Sequence, residues 1–304
     1  MPETSPESIS FDEALAIEGA ERRYTARVHP SWDGPLTTHG GLLAAIALSA
    51  IDREVNRAGD KQVRSLTCQY LRPPQHGEIE IHVDPLRSGR RFASARAMIL
   101  QGGRACVSVL ATHSVRELEE IDSWSIAMPD VSPPPDRGAP FVETPGYGDT
   151  GDGWLQMHPK APNFFNHMMI APRFGAAPFQ GPPPDPRTGT ENGGWVMNPQ
   201  ARPVDPAWLV FLVDAFWPSV LQPLRVPAGA PTLDLTIHLR ALLPPEGLPD
   251  QALLVHNTCA GLIGGLADWD ARIFARDGSL LALGRQHALV MPFAEIFGLE
   301  SSEA

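Results

Sequence analysis

The sequence predicts an α+β protein in which one module is used twice, each copy a long helix laid against an antiparallel sheet. Three observations predict it. A helix followed by alternating segments occurs in the same order in both halves. The spacing repeats too, since nearly the same number of residues separates Gly40 from Leu66 as separates Pro206 from Leu233. The chain's 304 residues also suit two modules of roughly 100–150 residues better than one. A single helix-covered sheet leaves an edge and a face uncovered, and pairing two modules covers them.

In the first half, Arg23 to Val28 reads as a strand. Gly40 to Val55, rich in Ala and Leu, reads as the helix. Leu66 to Leu71 is a strand that ends at Arg72-Pro73-Pro74, and Glu78 to Val83 alternates with period two. Arg91 to Leu100 and Ala105 to His113 form a hairpin that turns at Gly102-Gly103. In the second half, Phe164 to Ala171 and Trp195 to Pro203 are weaker strands, because proline interrupts the second. Pro206 to Leu221 is the helix, with Asp205 as its N-cap and Pro206 at the first helical position. Thr232 to Arg240, Leu253 to Ala260, Ala267 to Ala275 and Leu280 to Met291 are strands, the last two joined at Asp277-Gly278.

Proline clusters at Pro133 to Pro135 and at Pro182 to Pro184, and it breaks regular structure by removing amide donors. Residues 126–160 lack periodicity and read as a linker. The expected organisation is therefore an N-terminal module over 1–125 and a C-terminal module over 161–304.

Composition narrows the function. Apolar residues make up 43% and charged residues 19%, which suits a packed globular protein. The net charge of −11 and the lack of a basic run argue against nucleic-acid binding, which needs clustered cations. Cys68, Cys106 and Cys259 are scattered and odd in number, so no disulfide framework or zinc site is expected. The acidic N-terminus does not read as a signal peptide, and no apolar run approaches the length of a membrane span. The expected location is cytoplasmic. Nucleotide-binding glycine fingerprints, HExxH and GxSxG do not occur.

Four features carry possible chemistry. Asp214 stands in the most apolar helix with no Lys or Arg one turn away, where an ionised carboxylate needs a partner. Such a group serves as a general base or holds a water, or it is a structural acceptor. Gln286 shares a strand face with Ala282, Gly284, Ala288 and Val290, a close-packed face on which an amide needs partners. Thr232 opens a strand whose strict alternation puts it on the polar face with Asp234, Thr236 and His238; a strand threonine is ordinary. His39, Gly40 and Gly41 precede or open the first helix, where backbone N–H groups can hold a developing oxyanion, or where glycine simply allows tight packing.

These residues resemble the acyl-CoA thioesterase II family, the double-hotdog thioesterases. Leu71-Arg72-Pro73, then Leu86-Arg87-Ser88-Gly89 and Phe92 to Arg96, are similar to its first-half pattern. Thr232-Leu233-Asp234 and Gln286 after the Gly278 hairpin are similar to its second half. The resemblance covers about residues 20–115 and 163–292. It implies a tandem hotdog fold and hydrolysis of an acyl-CoA or acyl carrier protein thioester. It also implies that Asp214, Thr232 and Gln286 activate a water, with no covalent intermediate, cofactor or metal. In the first half Ala111 falls opposite Gln286 and Ser65 opposite Thr232, so one composite site per chain is expected, with His39, Gly40 and Gly41 binding substrate and Gly41 polarising the carbonyl. The exposed sheet edges leave room for a homo-oligomer.

Two other readings compete. A hotdog hydratase or dehydratase needs an Asp–His pair, and no histidine lies within a turn of Asp214, so His39 would have to come from the other half. A non-catalytic acyl-thioester-binding protein is the second alternative.

Overall fold

The computed structural model describes residues 8–116, 118, 121–145 and 148–296. The first half contains α1 (Phe11–Ala14), β1 (Glu18–Ala20), β2 (Arg23–Val28), α2 (Gly40–Val55), β3 (Lys61–Tyr70), β4 (Gly77–Ser88), β5 (Phe92–Gln101) and β6 (Arg104–Val115). Between the halves come β7 (Phe141–Val142) and β8 (Trp154–Leu155). The second half contains β9 (Met169–Phe174), β10 (Thr190–Met197), α3 (Pro206–Val213), β11 (Ala228–Gly229), β12 (Thr232–Leu239), β13 (Leu253–Ile263), β14 (Leu266–Phe274), β15 (Leu280–Leu289), β16 (Met291–Pro292) and α4 (Phe293–Ile296).

Twelve strands form one antiparallel sheet in the order β1-β2-β4-β5-β6-β3-β12-β15-β14-β13-β10-β9. Read outward from the β3–β12 seam, both halves have the same order, which is the duplication read from the sequence. The seam pairs Asp234 with Gln69, Leu235 with Cys68 and Ile237 with Leu66. At its centre Thr67 and Thr236 face each other, Oγ1 to Oγ1 at 3.2 Å. The outer edges are poor templates for another strand. One is the three-residue β1, and β9 at the other carries Pro172.

Helix α2 lies across β3 to β6, α3 lies across β12, β14 and β15, and the two helices pack on each other. Burial makes this arrangement stable. In α2 the run from Gly41 to Leu48 is buried all round, as expected of a helix enclosed by its own sheet and a second helix. In α3 every residue from Trp208 to Val213 is buried. This is the hotdog fold in tandem.

Three expectations needed correction. The second helix was expected to run to Leu221 but ends at Val213, with Asp214 as its C-cap. Pro218 contributes, because it disfavours helical geometry in the residue before it. A short 3-10 turn, Ser219–Leu221, follows. The first weak strand before α3 begins as a 3-10 turn, Asn163–His167, and the second lies earlier than expected, as β10. The described residues of 126–160 have little regular structure and pack against the second half. Trp154 is fully buried, Trp195 Nε1 donates to the Ser132 carbonyl at 2.8 Å, and Arg173 Nη2 donates to that of Pro133 at 2.9 Å. The segment covers an apolar cluster at the β9–β10–β13 end of the sheet.

Among the described residues no helix is long and apolar enough to cross a membrane.

The position of α3 on the sheet depends on Gly284 in β15. A Cβ there would lie 2.1 Å from Val213 Cγ1, so the last turn of α3 rests directly on bare backbone. Gly284→Ala is expected to cost about 1–3 kcal/mol, as overpacking of a filled core does, read as a lowered urea midpoint.

Candidate active site

Asp214 follows an apolar helix whose C-terminal end carries the negative pole of the peptide dipoles. Its carboxylate is therefore poorly placed unless a donor reaches it. The donor comes from the other half. The Gly41 N–H, in the first turn of α2, donates to Asp214 Oδ2 at 2.7 Å. That is a short, charge-assisted bond at the positive end of a helix. Glycine permits the approach. A Cβ at Gly41 would meet the Phe211 carbonyl oxygen at 2.8 Å, and one at Gly40 would meet Asp214 Oδ2 at 2.9 Å. The Asp214 side chain keeps 13% of its surface exposed, so it borders the site without being sealed in the core.

His39 is the N-cap residue of α2, but its side chain does not cap that helix. It reaches Asp214 instead. Nε2 lies 3.0 Å from the Asp214 main-chain oxygen, which can only accept, so Nε2 carries the hydrogen. Nδ1 lies 3.8 Å from Asp214 Oδ2. The ring is held between Phe164 and Phe211, with centroids 4.3 and 4.9 Å away. Burial lowers the tendency of His39 to take a proton, more than the nearby Asp214 charge raises it.

Gln286 is buried beneath the end of α3. Its Oε1 accepts from Thr232 Oγ1 at 3.0 Å. Its Nε2 lies 3.4 Å from the carbonyl of Val213, the residue before Asp214. Gln286 thus ties the threonine to the turn that carries the aspartate.

Thr232 reaches Gln286 only because the strand is irregular. Strict alternation puts Thr232 on the face of Asp234 and Thr236. The observed register pairs Thr232 with Ala288 but Asp234 with His287. Leu233 is thus an extra residue, a β-bulge, and it is 39% exposed. The bulge re-aims the side chain before it, and Thr232 joins the inner face with Gln286 and Ala288. The expected outer-face position is corrected accordingly. The opposite residue in the first half is Val63, not Ser65, because β3 carries a bulge between Val63 and Ser65 at the same place relative to the Thr67–Thr236 centre.

Two further points go beyond the sequence reading. Gly41 was expected to polarise a substrate carbonyl, but its N–H is committed to Asp214. Tyr70 also belongs to the site. Its hydroxyl donates to the Gly40 carbonyl at 2.9 Å, bracing the first turn of α2 from β3. Period two from buried Leu66 and Cys68 is the signal that points Tyr70 inward. Burial pushes the Cys68 thiol up to about 12 and the Tyr70 hydroxyl well above its ordinary value, so both stay neutral near pH 7.

Comparison with known proteins decides the family. Residues 28–114 match the profile of the acyl-CoA thioesterase N-terminal domain, and residues 132–290 match that of the acyl-CoA thioesterase C-terminal domain. The chain belongs to the acyl-CoA thioesterase family. It is thus a thioesterase, with both family domains present in order. Among solved structures, this thioesterase is similar to a hotdog-fold protein of unknown function from Alicyclobacillus acidocaldarius. The TM-score is 0.77 at 23% identity, over 94% of this chain and 99% of the other. It is also similar to an acyl-CoA thioesterase II from Mycobacterium marinum, with TM-score 0.69 at 21% identity over 93% and 98%. A third, described as a putative thioesterase II from Thermobifida fusca, gives TM-score 0.68 at 21% identity over 94% and 100%. At these identities the structures speak for the fold alone. No curated protein sequence matches the thioesterase significantly.

Removing the bulge tests the geometry. Deletion of Leu233 makes Thr232 the direct neighbour of Asp234, so regular alternation keeps Thr232 on the inner face opposite Ala288. Turnover is expected to stay well above that of Thr232→Val, with a urea midpoint close to wild type because Leu233 is half exposed.

Proposed function

We propose that this thioesterase hydrolyses acyl-CoA thioesters to free fatty acid and coenzyme A by direct attack of a water held by Asp214, Thr232 and Gln286. The observation that supports this reading is that Gln286 links Thr232 to the carbonyl of Val213, the residue before Asp214, whose carboxylate meets the Gly41 N–H at the start of α2. Asp214 supplies a negatively charged acceptor that orients the water and favours loss of its proton. Thr232 and Gln286 form a coupled pair of neutral groups that fix the water's position. The thioester carbonyl lies toward the positive end of α2, which favours the developing oxyanion. The water oxygen bonds to the carbonyl carbon, the C–S bond breaks, and the thiolate takes up a proton as it leaves. Each step uses groups of this chain and water alone. A carrier-protein thioester presents the same reacting atoms, so the chemistry is shared and the donor is a matter of recognition.

A second reading rests on one observation. His39 from the first half does approach Asp214, which is the pairing a hotdog hydratase requires. Hydration of an enoyl-CoA would leave the thioester intact.

The test is thiol release from short, medium and long acyl-CoAs, beside hydration of crotonyl-CoA. Wild type is expected to release thiol, and Asp214→Asn is expected to lower kcat by at least ~100-fold, as loss of a positioned acid–base group does. Hydration without thiol release would establish the second reading instead. Binding of acyl-CoA without either reaction would leave a non-catalytic binding protein.

A further inference from the structure

Asp214 is one of two acceptors at the site. His39 Nδ1 is fully buried, has no hydrogen-bond partner, and lies 3.8 Å from Asp214 Oδ2. Its tautomer is fixed from behind, because the Asp214 main-chain oxygen can only accept and so holds the hydrogen on Nε2. The neutral ring therefore presents a bare lone pair toward the carboxylate. Two acceptors at that separation can be spanned by the two O–H bonds of one water, which leaves the water's lone pairs free to attack. His113 Nδ1 also lacks a partner, but that ring meets Asp52 through Nε2, whereas His39 turns its bare Nδ1 toward a carboxylate, and a water that both groups hold would satisfy it.

We infer that His39 is a further catalytic residue, with Nδ1 accepting the proton of the attacking water and Asp214 serving as the counter-charge. This rests on the hydrolysis reading and assigns its proton. As the water oxygen bonds to the carbonyl carbon, one water proton passes to Nδ1. The imidazolium that forms is stabilised by the Asp214 carboxylate beside Nδ1 and by the Asp214 carbonyl at Nε2. When the tetrahedral intermediate collapses, the C–S bond breaks and Nδ1–H returns its proton to the sulfur. The ring is neutral again, the thiol departs, and the carboxylic acid ionises into solvent.

The surroundings suit this role. Asp214 is the charged neighbour of His39, and Phe164 and Phe211 cover the ring. Cys68 and Tyr70, the other titratable groups around the site, are held neutral by burial. His39 itself takes its proton below the ordinary histidine value of about 6.5, because burial disfavours the charged form. The imidazole is therefore the neutral, proton-accepting form at pH 7. Activity is expected to be lost as pH falls through this lowered value.

The experiment compares wild type, H39Q, D214N and the double variant by pH profiles of kcat and KM for acyl-CoA thiol release. In H39Q the amide keeps a donor for the Asp214 carbonyl and removes the basic nitrogen. Its kcat is expected to fall on the order of 10²–10⁴-fold with KM nearly unchanged, and the acidic limb assigned to His39 should vanish. The double variant should fall little below the worse single one, because both groups act on one water. In parallel, 15N NMR of the imidazoles identifies His39 as the signal missing from H39Q. A neutral Nε2–H tautomer at pH 7 supports the assignment. H39Q turnover close to wild type with the acidic limb intact, or an Nδ1–H tautomer, overturns it and leaves hydrolysis by Asp214, Thr232 and Gln286 standing. A wild type without thioester turnover, or turnover untouched in D214N, overturns the hydrolysis reading and this inference with it.

Discussion

The hydrogen bond from the Gly41 N–H to Asp214 joins the two halves where the chemistry is expected, and much else follows from it. A carboxylate at the C-terminal end of an apolar helix is destabilised by burial and by the helix dipole. The N-terminus of α2 removes both penalties with one donor and a favourable field. For that donor to reach 2.7 Å, the helices must touch almost backbone to backbone. Glycine is needed at positions 40 and 41 on one side, and Gly284 lets Val213 sit low on β15 on the other. Tyr70 then braces the turn from the seam strand. The site is therefore a product of domain pairing, and neither half holds it alone.

The same constraint explains why, among the described residues, the arrangement around Asp214 is not repeated at the mirror-related position. The mirror-related arrangement would need the start of α3 to donate to the middle of α2. There the residue that corresponds to Asp214, counted from the helix start, is Leu48, which offers no carboxylate, and Asp205 caps its own helix by accepting from Trp208 N at 2.8 Å. The position of Thr232 is filled by Val63, and that of Gln286 by Ala111. The mirror position is also closed. Gln62 Nε2 donates to the Ala241 carbonyl at 2.9 Å, its Oε1 accepts from Leu243 N at 2.9 Å, and Arg116 donates to the Leu243 carbonyl.

What the sequence made legible and what it did not divide along physical lines. Local rules carried most strands, both hairpin turns, the Asp205 cap and the inward face of Gln286, because period-two burial and turn chemistry act over a few residues. Three features escaped. The end of α3 at Asp214 is set in part by a partner 173 residues away in sequence. The bulge at Leu233 has no compositional mark, since leucine fits either a bulge or a regular strand, yet it reverses the side of the sheet that Thr232 faces. His39 lies before a different helix in the other half, and only the fold places it on Asp214. Tyr70 was within reach of period-two reasoning, but its role depends on what stands opposite.

The two bulges make the general point about how a duplicated fold can be specialised. Both halves keep the irregularity at the same register, with Arg64 as the extra residue in β3 and Leu233 in β12. The backbone device is thus common to both, and the side chain it aims differs. In the first half it turns Val63 inward beside His113, which pairs with Asp52 at 2.7 Å and is fully buried. In the second it turns Thr232 inward beside Ala288, where a small neighbour leaves room for the hydroxyl to reach Gln286. In the Asp52 pair His113 meets its carboxylate directly through Nε2, and its Nδ1 points away from it. The His39–Asp214 pair is held 3.8 Å apart, near enough to share a water and too far to satisfy each other. That gap is what separates a pair that holds the fold from one that can move a proton.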